Sequence, residues 1–395
     1  MAVSSKLQKT GYELESVHIV QAPISYIDHR AECDPMIDFY GKRIYPVIVS
    51  PMGSVTDEKN YKTWLEHGFL CVVPRTVQRS ENNPDGITFE ERVKISEETF
   101  VSFSLNESKY LAENCDIIND DKRHFICIDI AHGTMKQLYD VCGSLKKTLG
   151  DKIVIMTGNV ANPDAYSFYA ANKIDYMRAT IGTGSRCTTS CNVGIHYPTA
   201  TLIDELRMKK EIWEDGHAEG TKVIVDGGIA NFDDIQKCVA LGAWAVMSGS
   251  IFAKAQEACE PVVFLHPDNI NMADAIPAEE YAEKLAELKE RSFNFETDDN
   301  EYWSAYRKLS QRKPYRLYYG MSTKLAQRKT GGKGNVTAEG IAKPIPVEYP
   351  ISKWADNMAS YMRSCMSYTG CRTIEEMRNN TELIINLSSD RSFRK

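Results

Sequence analysis

The stretch IDYMRATIGTGSRCTT, residues 174–189, is an apolar segment that runs directly into a glycine-rich turn. Residues 174–181 are predicted to form a buried strand, because Ile, Tyr, Met and Ala dominate them. The turn that follows carries hydroxyl groups and the thiol of Cys187. Glycine lets backbone N–H groups approach a bound anion or ring closely. A strand that ends in such a turn is typical of α/β enzymes, whose sites lie at the carboxyl ends of parallel strands.

Seven further apolar runs alternate with helix-like segments along the chain. The runs, which are rich in Val, Ile and Phe, are residues 45–52, 68–73, 99–105, 124–130, 152–160, 222–225 and 243–247. Helical patterns lie between them, for example at residues 135–149, 163–172, 198–209 and 231–241. Strands that alternate with helices predict right-handed βαβ units and a parallel sheet. Eight such units predict a TIM (β/α)8 barrel, with an open doubly wound sheet as the alternative.

Nearly every predicted strand has a second feature, which is a glycine-containing or polar sequence at its carboxyl end. These sequences are residues 50–53, 74–75, 129–133, 158–159, 182–189, 226–228 and 248–250. In a barrel all of these ends meet on one face, where active sites form. The segments at 226–228 and 249–250 follow the seventh and eighth strands, which is the usual phosphate site of the fold.

The composition excludes several classes of protein. The chain has 395 residues, 43% hydrophobic and 26% charged, with a net charge of -7, which disfavours a general nucleic-acid surface. No apolar run is long enough to span a bilayer, and residues 1–10 lack a signal-peptide core. The 11 Cys show neither a disulfide-like frame nor paired zinc-ligand spacing. The sequence therefore predicts a cytoplasmic protein in a reducing compartment.

The pattern changes after the eighth strand. Residues 261–314 are long and charged, with a helix-like stretch at 277–291, and are predicted to be a partly helical insertion. Residues 1–260 and 315–388 are predicted to form the barrel, with a helix at 352–368 packed against it. Residues 331–335 are predicted to be a mobile loop, and residues 389–395 a polar tail.

These motifs together resemble the IMP dehydrogenase and GMP reductase family over residues 12–388, apart from the insertion. The resemblance is closer to the reductases, because Cys187-Thr188-Thr189 matches their form of the loop. No regulatory (CBS) domain stands between Arg75 and Asp129, where the dehydrogenases commonly carry one. The stretch from Ser322 to Glu339 is also short and lacks the Arg-Tyr pair that activates water in the dehydrogenases.

The resemblance implies an NADPH-dependent reductive deamination of GMP to IMP and ammonia. Cys187 would attack carbon 2 of guanine and form a covalent thioimidate. Thr189 and Glu339 match the proton-transfer pair of the family. Without the resemblance, Cys187 can also be interpreted as a packed, unreactive thiol, and Glu339 as a solvated charge on a loop.

The resemblance also implies the residues that bind ligands. For the nucleotide they are Met52, Ser185, Asp226, Gly227, Gly228, Gly249, Ser250, Gly320, Met321 and Ser322. For the dinucleotide they are Arg30, Arg75, Asp129, Ile130, Ala131, Ile181, Gly182 and Ser364. A monovalent cation, K⁺, would be held by Gly182, Gly184 and Cys187, and the assembly would be a homotetramer. Without the resemblance, core packing is the commoner role for both Met residues.

Several positions depart from the family pattern: Gly53, Thr180, Arg186, Ser190 and Val336. Two alternatives to a GMP reductase therefore stay open. One is an IMP dehydrogenase, oxidising IMP to XMP with NAD, that lacks the regulatory domain. The other is a purine-nucleotide-binding barrel without turnover.

Overall fold

The computed structural model describes residues 10–119, 121–184, 189–217, 219–293, 300–331 and 340–386. The strands are β1 Val17–Ile19, β2 Ile37–Phe39, β3 Lys42–Ile44, β4 Val47–Val49, β5 Leu70–Val73, β6 Phe100–Phe103, β7 His124–Asp129, β8 Ile153–Val160, β9 Tyr176–Ala179, β10 Lys222–Asp226, β11 Ala245–Ser248, β12 Val263–Leu265, β13 Ile276–Pro277, β14 Lys313–Tyr318, β15 Lys343–Pro346 and β16 Leu383–Ile385. The α-helices are α1 Tyr61–Glu66, α2 Phe89–Ile95, α3 Leu105–Glu113, α4 Lys136–Leu149, α5 Tyr166–Ala171, α6 Thr189–Val193, α7 Thr199–Glu214, α8 Phe232–Ala240, α9 Ser250–Ala253, α10 Ala278–Phe293, α11 Asn300–Ser310, α12 Lys324–Lys329, α13 Ile351–Thr369 and α14 Ile374–Asn380.

Strands β4 to β11 form a closed parallel barrel. Each strand pairs with its neighbour in the chain, and β11 closes the ring against β4 through Val246 opposite Val47. Six of the eight predicted apolar runs contain a barrel strand, and the runs at 222–225 and 243–247 end one residue before β10 and β11 do. The predicted TIM barrel is therefore confirmed. Most strand residues are buried, because each strand faces the barrel interior on one side and the surrounding helices on the other.

The surrounding helices begin at local sequence signals. Thr88 and Ser104 cap α2 and α3. In each case the cap hydroxyl accepts a hydrogen bond from the backbone N–H of a Glu three residues later, and the Glu carboxylate accepts one from the backbone N–H of the cap. Helix α4 buries Leu138, Val141 and Leu145, which recur every three or four residues and form one apolar face. Between β5 and β7 the described chain contains α2, β6, α3 and short turns, as expected for a barrel without a regulatory domain there.

The hairpin of β2 and β3 plugs the amino-terminal end of the barrel. Phe39 is 1% exposed, and its ring centroid lies 4.9 Å from that of Phe125 and 5.9 Å from that of Phe100. The rings of Tyr176 and Trp244 lie 6.2 and 6.1 Å away. All four partners lie within one residue of the position at which a barrel strand begins. The lower end of the barrel is therefore filled by aromatic side chains.

Replacing Phe39 with alanine is expected to lower the free energy of unfolding by about 3–5 kcal/mol, because a large buried ring is lost and a cavity is left. Urea denaturation measures this loss. Tyr110→Ala serves as the control, since Tyr110 is 49% exposed, and we expect this change to cost less than about 1 kcal/mol. Equal losses in the two variants would contradict the assigned role of the plug.

A second sheet follows the barrel, in the order β13-β12-β14-β15. Helix α10 occupies most of the stretch predicted to be helical, whereas the strands of this sheet were not predicted. The limits assigned to the insertion, 261 and 314, stay a prediction, and the second lies inside β14. Strand β14 leads from this sheet to the barrel face that carries the strand ends.

The two ends of the described chain pack together. Strands β1 and β16 pair with each other, and α13 buries Trp354, Met358 and Met362 against the barrel, close to the predicted helix at 352–368. The predicted polar tail at 389–395 lies outside the described residues. Within the described ranges, no helix has the length and apolar character that a membrane crossing requires.

Candidate active site

A cavity of about 650 Å³ opens at the carboxyl-terminal face of the barrel. It is lined by residues at or just after the carboxyl ends of β4, β5, β7, β8, β9, β10 and β11, together with Tyr318 at the end of β14 and residues 320–322. The loops that were predicted to converge thus share one cavity. This position is the one at which TIM barrels hold their active sites.

All the predicted nucleotide-binding residues that the structure describes line this cavity. They are Met52, Asp226, Gly227, Gly228, Gly249, Ser250, Gly320, Met321 and Ser322. Thr189, at the start of α6, lines it as well. The individual roles of these residues stay predictions. Because the residues line one cavity, they can all contact the same bound nucleotide.

The predicted dinucleotide-binding residues divide into two groups. Six of them line the same cavity: Arg75, Asp129, Ile130, Ala131, Ile181 and Gly182. Arg30 and Ser364 are not among its lining residues, and Arg30 Nη1 instead donates to Ser364 Oγ at 3.0 Å. The buried Nε of Arg75 has no hydrogen-bond partner within the described part of the chain, so this guanidinium retains a donor for a ligand.

Three predicted site residues lie outside the described residues: Ser185, Cys187 and Glu339. Two departures from the family pattern, Arg186 and Val336, lie there too, as does most of the predicted mobile loop at 331–335. In sequence, residues 185–188 connect Gly184 with Thr189, and both of these line the cavity. The roles predicted for the undescribed residues stay predictions.

A buried arginine joins two carboxylates across the cavity floor. Arg178 of β9 donates from Nη1 to Asp129 Oδ1 at 2.7 Å, and from Nη2 and Nε to Asp226 Oδ2 at 2.7 and 3.0 Å. Asn159 of β8 also donates to Asp226 Oδ2, at 2.8 Å. Burial alone would lower the pKa of Arg178, but the charges of Asp226 and Asp129 raise it well above its usual value. The guanidinium therefore stays charged.

The contacts that Arg178 and Asn159 make between strand ends were not predicted. The available signal was a single arginine inside the apolar run at 174–181. A charged residue in a strand buried on both faces needs a partner, which makes it a candidate for a site. Its partners are 49 and 48 residues away in the chain, so the sequence alone did not indicate them.

Thr180 adopts a backbone conformation that suits glycine. Its φ is +86°, and a β-branched residue is rarely found there. Its hydroxyl donates to the Asp226 carbonyl at 2.5 Å and lies 3.0 Å from Thr183 Oγ1. Thr183 in turn packs on Gly227, where a Cβ would lie 2.9 Å from Thr183 Oγ1. These contacts fasten the loop after β9 to the end of β10.

Thr180→Val is expected to lower the free energy of unfolding by about 1–3 kcal/mol. The variant keeps the strained backbone, and the Asp226 carbonyl and the Thr183 hydroxyl lose the hydrogen-bond partner that the Thr180 hydroxyl provides. Thr180→Gly also loses the hydroxyl but removes the strain at positive φ, so its loss should be smaller. Chemical denaturation of both variants tests this order. A valine variant as stable as the glycine variant would show that the hydroxyl contributes little.

The turn with Met321 is fastened to the loop after β4. Ser54 Oγ donates to the Tyr319 carbonyl at 3.0 Å, and the Tyr319 N–H donates to Ser54 Oγ at 3.2 Å. Gly249 allows Met52 to approach, since a Cβ there would lie 2.3 Å from Met52 Sδ. Met52 and Met321 are therefore held on neighbouring loops at the cavity wall.

The predicted cation ligands Gly182 and Gly184 both line the cavity. The Gly182 carbonyl accepts a hydrogen bond from Ser190 Oγ at 3.0 Å, and Ser190 is one of the departures from the family pattern. The third predicted ligand, Cys187, lies outside the described residues. Binding of K⁺ stays a prediction.

Comparison with known proteins shows similarity across most of the chain. The model of the IMP dehydrogenase / GMP reductase domain matches residues 41–294 and 304–391. The chain is 25% identical to a GMP reductase of Vibrio vulnificus over 343 residues, which cover 86% of this chain and 82% of that protein. It is 25% identical to a GMP reductase of Buchnera aphidicola over 351 residues, 88% of this chain and 80% of that one. An inosine-5'-monophosphate dehydrogenase of Rhodopirellula baltica is 28% identical over 260 residues, which cover 66% of this chain but 40% of that protein.

Proposed function

The chain belongs to the IMP dehydrogenase / GMP reductase family of oxidoreductases, and we propose that it acts within this family as a GMP reductase. The reaction is the NADPH-dependent conversion of GMP to IMP and ammonia. One observation carries the proposal: a single cavity gathers the described residues predicted for the nucleotide together with six predicted for the dinucleotide. The Cys187-Thr188-Thr189 sequence and the short stretch from Ser322 to Glu339 favour the reductase over the dehydrogenase.

In the proposed complex the nucleotide occupies the ends of β10 and β11. Backbone N–H groups of Gly227, Gly228 and Gly249 suit a phosphate, because glycine permits close approach and amides bind anions. Asp226, at the end of β10, would accept hydrogen bonds from the ribose hydroxyls. Met52 and Met321 would flank the base, since both lie in the cavity wall.

The residues present also fit a dinucleotide beside the nucleotide. Asp129, Ile130 and Ala131 line the cavity at the end of β7, and Arg75 offers a buried donor without a partner among the described residues. Arginine is well suited to a phosphate group of the cofactor. When bound, NADPH would supply a hydride to carbon 2 of the purine.

The chain itself would supply the remaining chemistry. The Cys187 thiolate attacks carbon 2 of GMP, and the bond from that carbon to the exocyclic amine breaks. Thr189 and Glu339 deliver the proton with which the amine leaves as ammonia. The bond between carbon 2 and sulfur breaks when IMP is formed, and the sulfur departs with its electron pair as thiolate.

The test is an assay of NADPH oxidation with GMP, in which IMP and ammonia are measured on the same samples. Both products in step with NADPH loss support the proposal. NADH formation from IMP and NAD, with no reaction of GMP, would assign the chain to the dehydrogenases instead. Tight GMP binding without turnover in either direction would identify a binding protein. Assembly as a homotetramer and a cytoplasmic location stay predictions.

A further inference from the structure

Arg178 lies between the two groups of residues that are proposed to bind the two ligands. Asp226 belongs to the nucleotide side, and Asp129 belongs to the dinucleotide side. The side chain of Arg178 is 7% exposed, and those of Asp129 and Asp226 are 11% and 13% exposed. One guanidinium thus bonds both carboxylates in a largely water-excluded place, where an unpaired charge is costly.

We propose that Arg178 is a positioning residue shared by both ligand subsites, which holds Asp226 and Asp129 in the orientations that bind nucleotide and dinucleotide. This inference rests on the proposed function, because it takes the two subsites from it. The planar guanidinium has donors pointing in fixed directions, so that it bonds Asp226 through Nε and Nη2 and Asp129 through Nη1 at the same time. A lysine ammonium in its place is a single point charge on a flexible stem and lacks this fork.

The bonds to Asp226 determine which of its atoms is offered to a ligand. Oδ2 accepts from both Arg178 and Asn159, which turns that oxygen toward the cavity floor. Oδ1 then stands as the acceptor for a ribose hydroxyl. On the other side, Asp129 Oδ1 is engaged by Arg178, which leaves Oδ2 for the dinucleotide. In each carboxylate, the bonds to one oxygen therefore fix the orientation of the group, and the other oxygen is presented to the ligand.

The experiment measures calorimetric binding of GMP and of NADP⁺ separately, because the oxidised dinucleotide does not reduce GMP. Arg178→Lys is expected to weaken both ligands about tenfold, the size expected when hydrogen bonds to a charged group are lost. Asp226→Asn should weaken GMP about tenfold and leave NADP⁺ within about threefold, and Asp129→Asn should do the reverse. Near-ultraviolet circular dichroism checks that each variant is folded.

A double-mutant cycle separates positioning from general structural damage. If Arg178 acts on GMP through Asp226, adding Arg178→Lys to Asp226→Asn should weaken GMP by no more than about twofold further, while NADP⁺ still weakens about tenfold. Arg92→Lys is the matched control. Arg92 is also buried and bonded to a carboxylate, that of Glu107 at 2.6 Å, but neither residue lines the cavity. It should lower stability and leave both affinities unchanged.

The possible outcomes distinguish the inference from the function on which it rests. If folded Arg178→Lys binds only one of the two ligands more weakly, or neither, the shared role is overturned. Turnover by the wild-type protein would still support the proposed reductase. Equal effects of Arg178→Lys in the presence and absence of Asp226 would also overturn it. Wild-type protein that binds both ligands without turnover would overturn the proposed function alone. Wild-type protein that binds neither would overturn both.

Discussion

Replacing Cys187 with alanine is expected to reduce GMP-dependent NADPH oxidation by roughly 10⁴-fold or more, because the covalent route loses its nucleophile. GMP affinity should change little, since the residues proposed to bind phosphate, ribose and base are untouched. The measurements are steady-state turnover and calorimetric GMP binding on the same preparation. In the wild-type protein, mass spectrometry after rapid acid quench should detect a purine adduct that the variant lacks.

The control for this prediction is Cys191→Ala. Cys191 is exposed on α6, four residues after Cys187, and should be dispensable for turnover. Cys127 is a second thiol near the site, 3.6 Å from Arg178 Nη1, but burial raises its pKa to about 12. It is therefore a protonated thiol at neutral pH and a poor nucleophile. Activity retained in Cys187→Ala and lost in Cys191→Ala would refute the assignment of the nucleophile.

Thr189→Val and Glu339→Gln are each expected to lower kcat by about 10²-fold or more, because both remove the relay that carries a proton to the leaving amine. KM for GMP should stay within about threefold, since neither residue is assigned to ground-state binding. The double variant should be hardly slower than the slower single variant, because residues that act as one unit have non-additive effects.

Single-turnover experiments with ammonia detection identify the step that these variants affect. Ammonia release should slow by the same factor as NADPH oxidation. Thr189→Ser, which keeps the hydroxyl, should recover most of the rate. A serine variant as slow as the valine variant would show that the hydroxyl of Thr189 does not carry the proton.

The barrel was predictable because its strands are buried on both faces and therefore leave continuous apolar runs in the sequence. Strand β7, in which Phe, Ile and Cys fill four consecutive positions, lies entirely inside its predicted run at 124–130. The convergence of the strand ends then followed from the geometry of parallel barrels rather than from any single motif. The roles within the cavity came from the family resemblance.

The features that were not predicted depend on contacts between distant or very short segments. Strands β2, β3, β12 and β13 have two or three residues, which is too short for a period of two to be visible. The hydrogen bonds of Arg178 to Asp129 and Asp226 join three different strands. In the sequence, the two carboxylates stand at the ends of separate strands, and nothing pairs them with Arg178. Thr180 was noted as a departure from the family pattern, but its hydroxyl contacts depend on the loop after β9 folding over Gly227.

The aromatic hairpin at the amino-terminal end also determines the route by which a ligand can reach the cavity floor. Because Phe39 and its neighbours fill the lower end of the barrel, molecules that reach the cavity floor must leave through the mouth at the opposite end. In the proposed enzyme, substrates and products therefore share this one route to and from the cavity floor.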